Sequence, residues 1–169
     1  IAKGLESAKG TPGRFELLEH SEGDPYIIVD YCHTPDGLDR ILLSINELLV
    51  DARTHVVFGC GGDRDRTKRA QMGMISATHA TNVYLTSDNP RSEDPMGIIN
   101  DILAGIGDTE SVYVNPDRRE AIFHAVNSAD EGDVVLIAGK GCEPYQEISG
   151  TQFPFLDSDV GREALEASR

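Results

Sequence analysis

The stretch "GDVVLIAGKGCEPYQ", residues 132–146, decides how the chain folds. From Val134 to Ala138 every residue is apolar, with nothing polar interleaved. A strand with one wet face alternates apolar and polar side chains, so an unbroken apolar run marks a strand covered on both faces. The run stops at Gly139-Lys140-Gly141, followed by Cys142 and Glu143. A buried strand that opens at its carboxyl end into a small, charged turn predicts a parallel sheet with its chemistry at that end.

Strand-like runs recur on the amino-terminal side: "YIIVDY" (26–31), "HVVFGC" (55–60), "NVYLTS" (82–87) and "VYVN" (112–115). Helical segments separate them. "PDGLDRILLSINELLV" (35–50) starts with Pro35 at a first-turn position and sets Leu38, Ile41, Leu42, Ile45 and Leu48 on one stripe. The segments 66–80, 95–106 and 117–129 follow the same logic, and "DSDVGREALEAS" (157–168) is a last helix with Ser158 or Asp157 as its cap. "GRFELLE" (13–19) reads as an edge strand and "YQEISGTQFPF" (145–155) as a hairpin turning at Ser149-Gly150. Strands alternating with helices predict an α/β chain, Rossmann-like and doubly wound, its mostly parallel sheet carrying helices on both faces.

At 169 residues the chain suits one domain with a sizeable core. A net charge of −14 argues against a nucleic-acid face, which needs clustered Lys and Arg, and serves solubility instead. Cys32, Cys60 and Cys142 are three, far apart and without a CxxC pair, which predicts free thiols in a reducing, cytoplasmic setting and no metal site. No apolar run approaches the roughly 20 residues that span a bilayer, and no signal peptide is present, so no membrane partner is expected. The start at Ile1 reads as a piece of something longer, with residues 1–11 the end of a preceding domain or linker and 12–169 the folded domain.

Four strand ends carry the polar residues: "DYCHTP", "GCGGDRDRTKR", "TSDNPR" and "AGKGCEPYQ". In the second, glycines precede a helix start and Arg64, Arg66, Lys68 and Arg69 could bind phosphate or carboxylate. The plain alternative is a solvated helix start capped by Asp63. In the third, Pro90 stiffens the backbone before Arg91, a natural bidentate partner for a carboxylate, and Asn89 can both donate and accept. An Asx turn capping the next helix, with Arg91 exposed, explains the same residues. In the fourth, Glu143 suits an ammonium beside Gly139, although a simple turn also uses glycines. Asp30 and His33 stand at the first end, where a histidine is more often structural. His20, His55, His79 and His124 show no ligand spacing.

Together, "GRFE", "VDYCHTPDGL", "VFGCGGDRDRTKR", "TSDNPRSEDP", "GDVVLIAGKGCEPYQ" and "FPFLDSDVGREAL" occur in the order found in the C-terminal domain of Mur ligases, which the chain resembles from about residue 11 onward. The resemblance implies an ATP-dependent amide-forming ligase of peptidoglycan synthesis, in which ATP phosphorylates a carboxylate of a UDP-N-acetylmuramoyl-dipeptide and an amino acid then attacks. It implies that Arg14 contacts ATP phosphates, that Asp30 lies near the ribose and that His33 stands nearby. "DNPR" is the signature of members that take meso-diaminopimelate rather than lysine. By that match Asn89 and Arg91 hold the distal end of the amino acid, with Arg64, Gly139 and Glu143 completing the pocket. Cys142 stands where the family usually has His, Pro144 replaces a common acidic residue, and Cys32 interrupts the usual "DYAHTP". No P-loop occurs, so ATP and Mg2+ are expected mainly on other domains, no catalytic residue is assigned here, and the chain alone is expected to be inactive. Two alternatives remain at this point: a stand-alone, non-catalytic binding module, or a ligase domain with another amino substrate.

Overall fold

The main sheet has six strands in the order β1-β2-β6-β3-β4-β5, five of them parallel and only β1 antiparallel. The computed structural model describes residues 11–107 and 111–169, so the linker assignment lies, except for Thr11, outside the described residues. In chain order the elements are β1 (Glu16–Leu17), β2 (Tyr26–Asp30), α1 (Pro35–Leu48), β3 (Thr54–Phe58), α2 (Thr67–His79), β4 (Asn82–Leu85) and α3 (Pro95–Ile106). Then come β5 (Val112–Val114), α4 (Arg118–Asn127), β6 (Val134–Ala138), a separate hairpin of β7 (Tyr145–Ile148) and β8 (Thr151–Pro154), and α5 (Asp157–Ser168).

The opening stretch behaves as its composition requires. All five residues of β6 are buried, because β6 lies between β2 and β3 with helices over both faces. Successive strand residues point to opposite faces. Thus Ile28, Val56, Phe58 and Leu136 meet α1, α2 and α3 through Leu38, Leu42, Met72, Ile99 and Ile102. Ile27, Val29, Val57, Val135 and Ile137 meet α4 and α5 through Ile122, Ala125, Val126, Val160 and Leu165. Each buried Leu, Ile or Val side chain contributes about 1.5–3 kcal/mol of transfer free energy, so both faces drive the winding.

Three local expectations are corrected. Leu48 is 40% exposed rather than part of the buried stripe; it is the last residue of α1, and Leu49 turns in to pack on the core instead. Neither Ser158 nor Asp157 caps α5: the residue preceding the helix is Leu156, without a side-chain cap, and Asp157 is buried and committed elsewhere. Asp63 does not cap α2, since the Asp65 carboxylate accepts the Thr67 N–H at 2.9 Å while Asp63 turns to Ser92. The hairpin does turn at Ser149-Gly150, both at positive φ (50° and 75°), the backbone that a two-residue turn between antiparallel strands favours.

Candidate functional site

Insertion of β6 between β2 and β3 gathers the polar strand ends into one crescent, in the spatial order β2, β6, β3, β4. Loops so close need small residues where backbones touch. A Cβ on Gly62 would stand 1.9 Å from the Pro90 carbonyl oxygen, and one on Gly59 would stand 2.1 Å from that of Thr86. The β3 glycines therefore exist to let the DNPR loop lie against them. That loop is also sewn to the hairpin, Arg91 N–H donating to Glu147 O (3.0 Å) and Ser149 N–H to Arg91 O (2.7 Å).

Arg91 has φ +52°, the left-handed region that a residue other than glycine enters only when its surroundings hold it there. Its guanidinium does not project freely. It donates to Gly62 O at 2.8 Å and to a Glu147 carboxylate oxygen at 3.2 Å, and its side chain stays 20% exposed. Arg64, by contrast, is exposed and among the described residues donates to the carbonyl of Asp63 alone. Both arginines border Gly61, whose Cβ would lie 3.0 Å from Arg91 Nη1 and 3.7 Å from Arg64 Cγ. The other basic residues of that strand end are occupied. Arg69 is buried on Glu93 and Asp101, Arg66 pairs with Glu93, and Lys68 donates to His33 O. Of the four, Arg66 and Arg69 have acidic partners, whereas Arg64 and Lys68 have none among the described residues, and Lys68 is held on a backbone carbonyl.

Beside them Asn89, 3% exposed, is fixed on three sides. Its oxygen accepts from Glu147 N–H (2.8 Å) and Lys140 Nζ (3.1 Å), and its amide nitrogen donates to Glu143 Oε2 at 2.7 Å. Lys140 Nζ reaches the same Oε2 at 2.7 Å. Burial pushes the Glu143 carboxyl up, but the Lys140 and Asn89 bonds and the Lys140 charge outweigh it and hold the group below the usual carboxylate range. Gly139 adopts φ +112°, and a Cβ there would meet an Asp88 carboxylate oxygen at 2.9 Å.

Beside this cluster lies a charge pair that the sequence reading missed. Arg118 of α4 and Asp157 of α5 are both fully buried and joined by two bonds of 2.8 and 2.7 Å. The same guanidinium donates to Ala138 O (3.0 Å) and Ser87 O (3.3 Å), the last carbonyls before the β6 and β4 turns. It ties two strand ends together. Burial raises the Asp88 carboxyl, with Asp157 and Glu143 adding to the rise and Arg118 and Lys140 opposing it.

The other half of the crescent is more open. Arg14 is exposed, its guanidinium 5.6 Å from the centre of the Tyr31 ring. Asp30 accepts the Phe15 and Cys32 backbone N–H groups, one on each oxygen and both at 2.7 Å, so it fixes the β1 turn over the end of β2. His33 is exposed, with Nδ1 2.9 Å from Tyr31 O. Cys142 is exposed between the two halves, and Gly13 packs against its backbone. An exposed guanidinium on an aromatic ring suits nucleotide phosphates, whereas no group of three His, Cys, Asp or Glu among the described residues is set to hold a metal ion.

Fold and site together define a mostly parallel α/β domain whose glycine-rich, charged strand ends gather along one edge of the sheet. The chain matches the family described as Mur ligase, glutamate ligase domain, over residues 13–141. It belongs to that family. It is 52% identical over its whole length to a UDP-N-acetylmuramoyl-L-alanyl-D-glutamate–2,6-diaminopimelate ligase of Gloeobacter violaceus, covering 34% of that protein. It is 49% identical over 97% of its length to the protein of the same name in Listeria monocytogenes, covering 33% of it. A solved structure of a ligase with that name superposes with a TM-score of 0.85 at 43% identity, covering 95% of this chain and 32% of the other. The chain therefore spans about a third of the length of these relatives, their C-terminal third.

Proposed function

We propose that the chain acts as the amino-acid-binding, ATP-closing domain of a ligase that adds meso-diaminopimelate to UDP-N-acetylmuramoyl-L-alanyl-D-glutamate in peptidoglycan synthesis. The observation that carries this reading is the convergence of Arg64 and Arg91 on Gly61, beside the Asn89–Glu143 pair. Diaminopimelate ends in an ammonium and a carboxylate on one carbon, and lysine ends in an ammonium alone. Asn89 and Arg91 hold the distal end, with Arg64 beside Arg91 for its carboxylate, Glu143 accepts its ammonium, and Gly139 admits the ligand to the backbone.

ATP, held with Mg2+ mainly by other domains, supplies the phosphoryl group that activates the dipeptide carboxylate. On this chain Arg14 meets its phosphates, Asp30 lies near the ribose and His33 stands beside them. A positive edge here screens phosphate charge as the domain closes. The reading puts the protein in the cytoplasm, where its three thiols stay reduced. No helix among the described residues is long and apolar enough to cross a membrane.

Titration calorimetry of the chain with meso-diaminopimelate and with L-lysine tests the assignment. A preference for diaminopimelate of about tenfold or more is expected, because lysine leaves two guanidinium groups without their carboxylate. Arg91→Ala should erase it. Equal or tighter binding of lysine would overturn the assignment. With ATP and the UDP-dipeptide, the purified chain is expected to show no turnover.

A further inference from the structure

The ammonium end of the pocket already contains an ammonium, that of the chain's own Lys140. We infer that Lys140 is a positioning and specificity-determining residue of this site: its buried Nζ, with the Asn89 carboxamide it orients, locks the Glu143 carboxylate as the acceptor and biases it against ligands that bring only positive charge. The inference rests on the diaminopimelate reading above and names a residue which that reading does not use.

The geometry is a closed ring of bonds. Lys140 is 0% exposed, and a buried ammonium is tolerated only with good acceptors around it. It has two, Glu143 Oε2 at 2.7 Å and Asn89 Oδ1 at 3.1 Å, with the Tyr145 ring 5.8 Å away. Asn89 Nδ2 closes the ring at 2.7 Å on the same Oε2. Because Lys140 and the Glu147 N–H both donate to Asn89 Oδ1, a flipped amide would set its NH2 group against two donors. Lys140 thus fixes which way Asn89 faces, and Asn89 and Lys140 together fix Glu143.

The charges facing Glu143 come from several elements: Lys140 on its own turn, Asp88 after β4, Tyr145 of β7, and Arg118 of α4 with its partner Asp157. Lys140 is the only one of these cations bonded to Glu143. An incoming ammonium therefore shares Glu143 with a tethered one. Diaminopimelate offsets that repulsion with the carboxylate it carries to Arg64 and Arg91, and lysine has no such group. Rejecting the wrong ligand through a built-in like charge is specificity by repulsion.

The test uses the full chain with its glutamate carboxyl carbons labelled with carbon-13, the Glu143 signal assigned by its loss in Glu143→Gln. In Lys140→Met, Glu143 is expected to titrate at higher pH than in the unaltered chain, since burial is then opposed only by the neutral Asn89 and Tyr145 side chains, with no bonded cation. At about pH 8 the preference for meso-diaminopimelate over L-lysine should fall by about tenfold, mainly through tighter lysine binding. A merely structural role would weaken both ligands together and leave the Glu143 titration in place. Should Lys140→Met fail to fold, Lys140→Gln keeps a donor without the charge and carries the same measurements. An unmoved Glu143 titration, or equal weakening of both ligands, overturns the inference. If the unaltered chain prefers neither ligand, the diaminopimelate reading falls, and with it the specificity claim. The Glu143 titration needs no ligand and still decides whether Lys140 positions that carboxylate.

Discussion

On the Glu143 side of the β6 turn Asn89 makes three side-chain bonds, Arg91 two and Lys140 two, all within the domain. On the Gly141 side Arg14, Tyr31, His33 and Cys142 are exposed, and only Asp30 is tied down at both oxygens. One half is a cluster of side chains whose geometry is set by bonds within the domain. The other is an open edge whose side chains, Asp30 apart, make few bonds among the described residues. A cluster so fixed suits selection of a small amphoteric ligand, because little ordering entropy remains to be lost on binding. On the function proposed above, an open edge suits a surface completed by closure onto nucleotide held elsewhere.

The difference is most directly broken beside the cluster. Arg118→Met strands the Asp157 carboxylate in the core and frees Ser87 and Ala138, and urea unfolding should show a loss of about 3–5 kcal/mol. The double substitution Arg118→Met, Asp157→Leu should recover most of that loss, since an apolar pair of similar volume leaves no charge unpaired. If it did, and diaminopimelate affinity still stayed low, the pair would hold the strand ends in place rather than merely stabilise the fold. A loss below about 1 kcal/mol in the single variant would mean the two strand ends are not held by this residue.

Gly62→Ala comes next, acting where the β3 and β4 loops touch. Its new Cβ would start 1.9 Å from a backbone oxygen, which cannot rotate away, so the DNPR loop must shift as a unit. The expected cost is about 1–3 kcal/mol, with a clear loss of ligand affinity. Smaller again is the effect of Glu93→Gln. Glu93 bonds Arg69 with both oxygens and accepts the Asp63 N–H; the Arg69 bonds lead in holding its carboxyl down at about 2, from an ordinary 4.5. A depressed carboxyl stabilises the fold above its unfolded value, and that contribution is lost as pH falls. The unaltered chain should therefore lose stability between about pH 4.5 and about pH 2 more steeply than Glu93→Gln, read as thermal midpoint against pH.

The same contrast explains what could be read from the sequence. Val134 to Ala138 announced a strand covered on both faces, and the positions of α1 and α3 followed from Pro35, Pro95 and the apolar spacing. The strand order did not follow, because β2, β3, β4 and β6 all read as similar apolar runs and nothing local says that β6 lies between β2 and β3. At the site, glycines and arginines at strand ends were legible as residue types. Lys140, Arg118 and Asp157 were not, since a charged side chain is ordinarily read as solvated and Arg118 finds its partner 39 residues away. The signal for Lys140 was its place two residues after a fully buried strand, between two glycines that are themselves buried. Arg64 and Arg91 looked alike in sequence, yet one is exposed on the neighbouring Asp63 carbonyl and the other is locked on Gly62 and Glu147.

The smallest expected effect on stability lies at the open edge. Arg14→Ala removes an exposed guanidinium that stacks on Tyr31, so unfolding free energy should change by no more than about 0.5 kcal/mol. If the edge faces nucleotide, the same substitution placed in a complete ligase should raise the KM for ATP while leaving the preference for diaminopimelate over lysine untouched. Arg91→Ala should do the reverse. That crossed pattern is what two functionally separate halves require, because each substitution then reports on a ligand the other does not meet. Were Arg14→Ala to alter the choice of amino acid, the β6 turn would have to transmit between the halves, and Gly141, wedged between Gly13 and Tyr31, is where the backbone of one half touches the other.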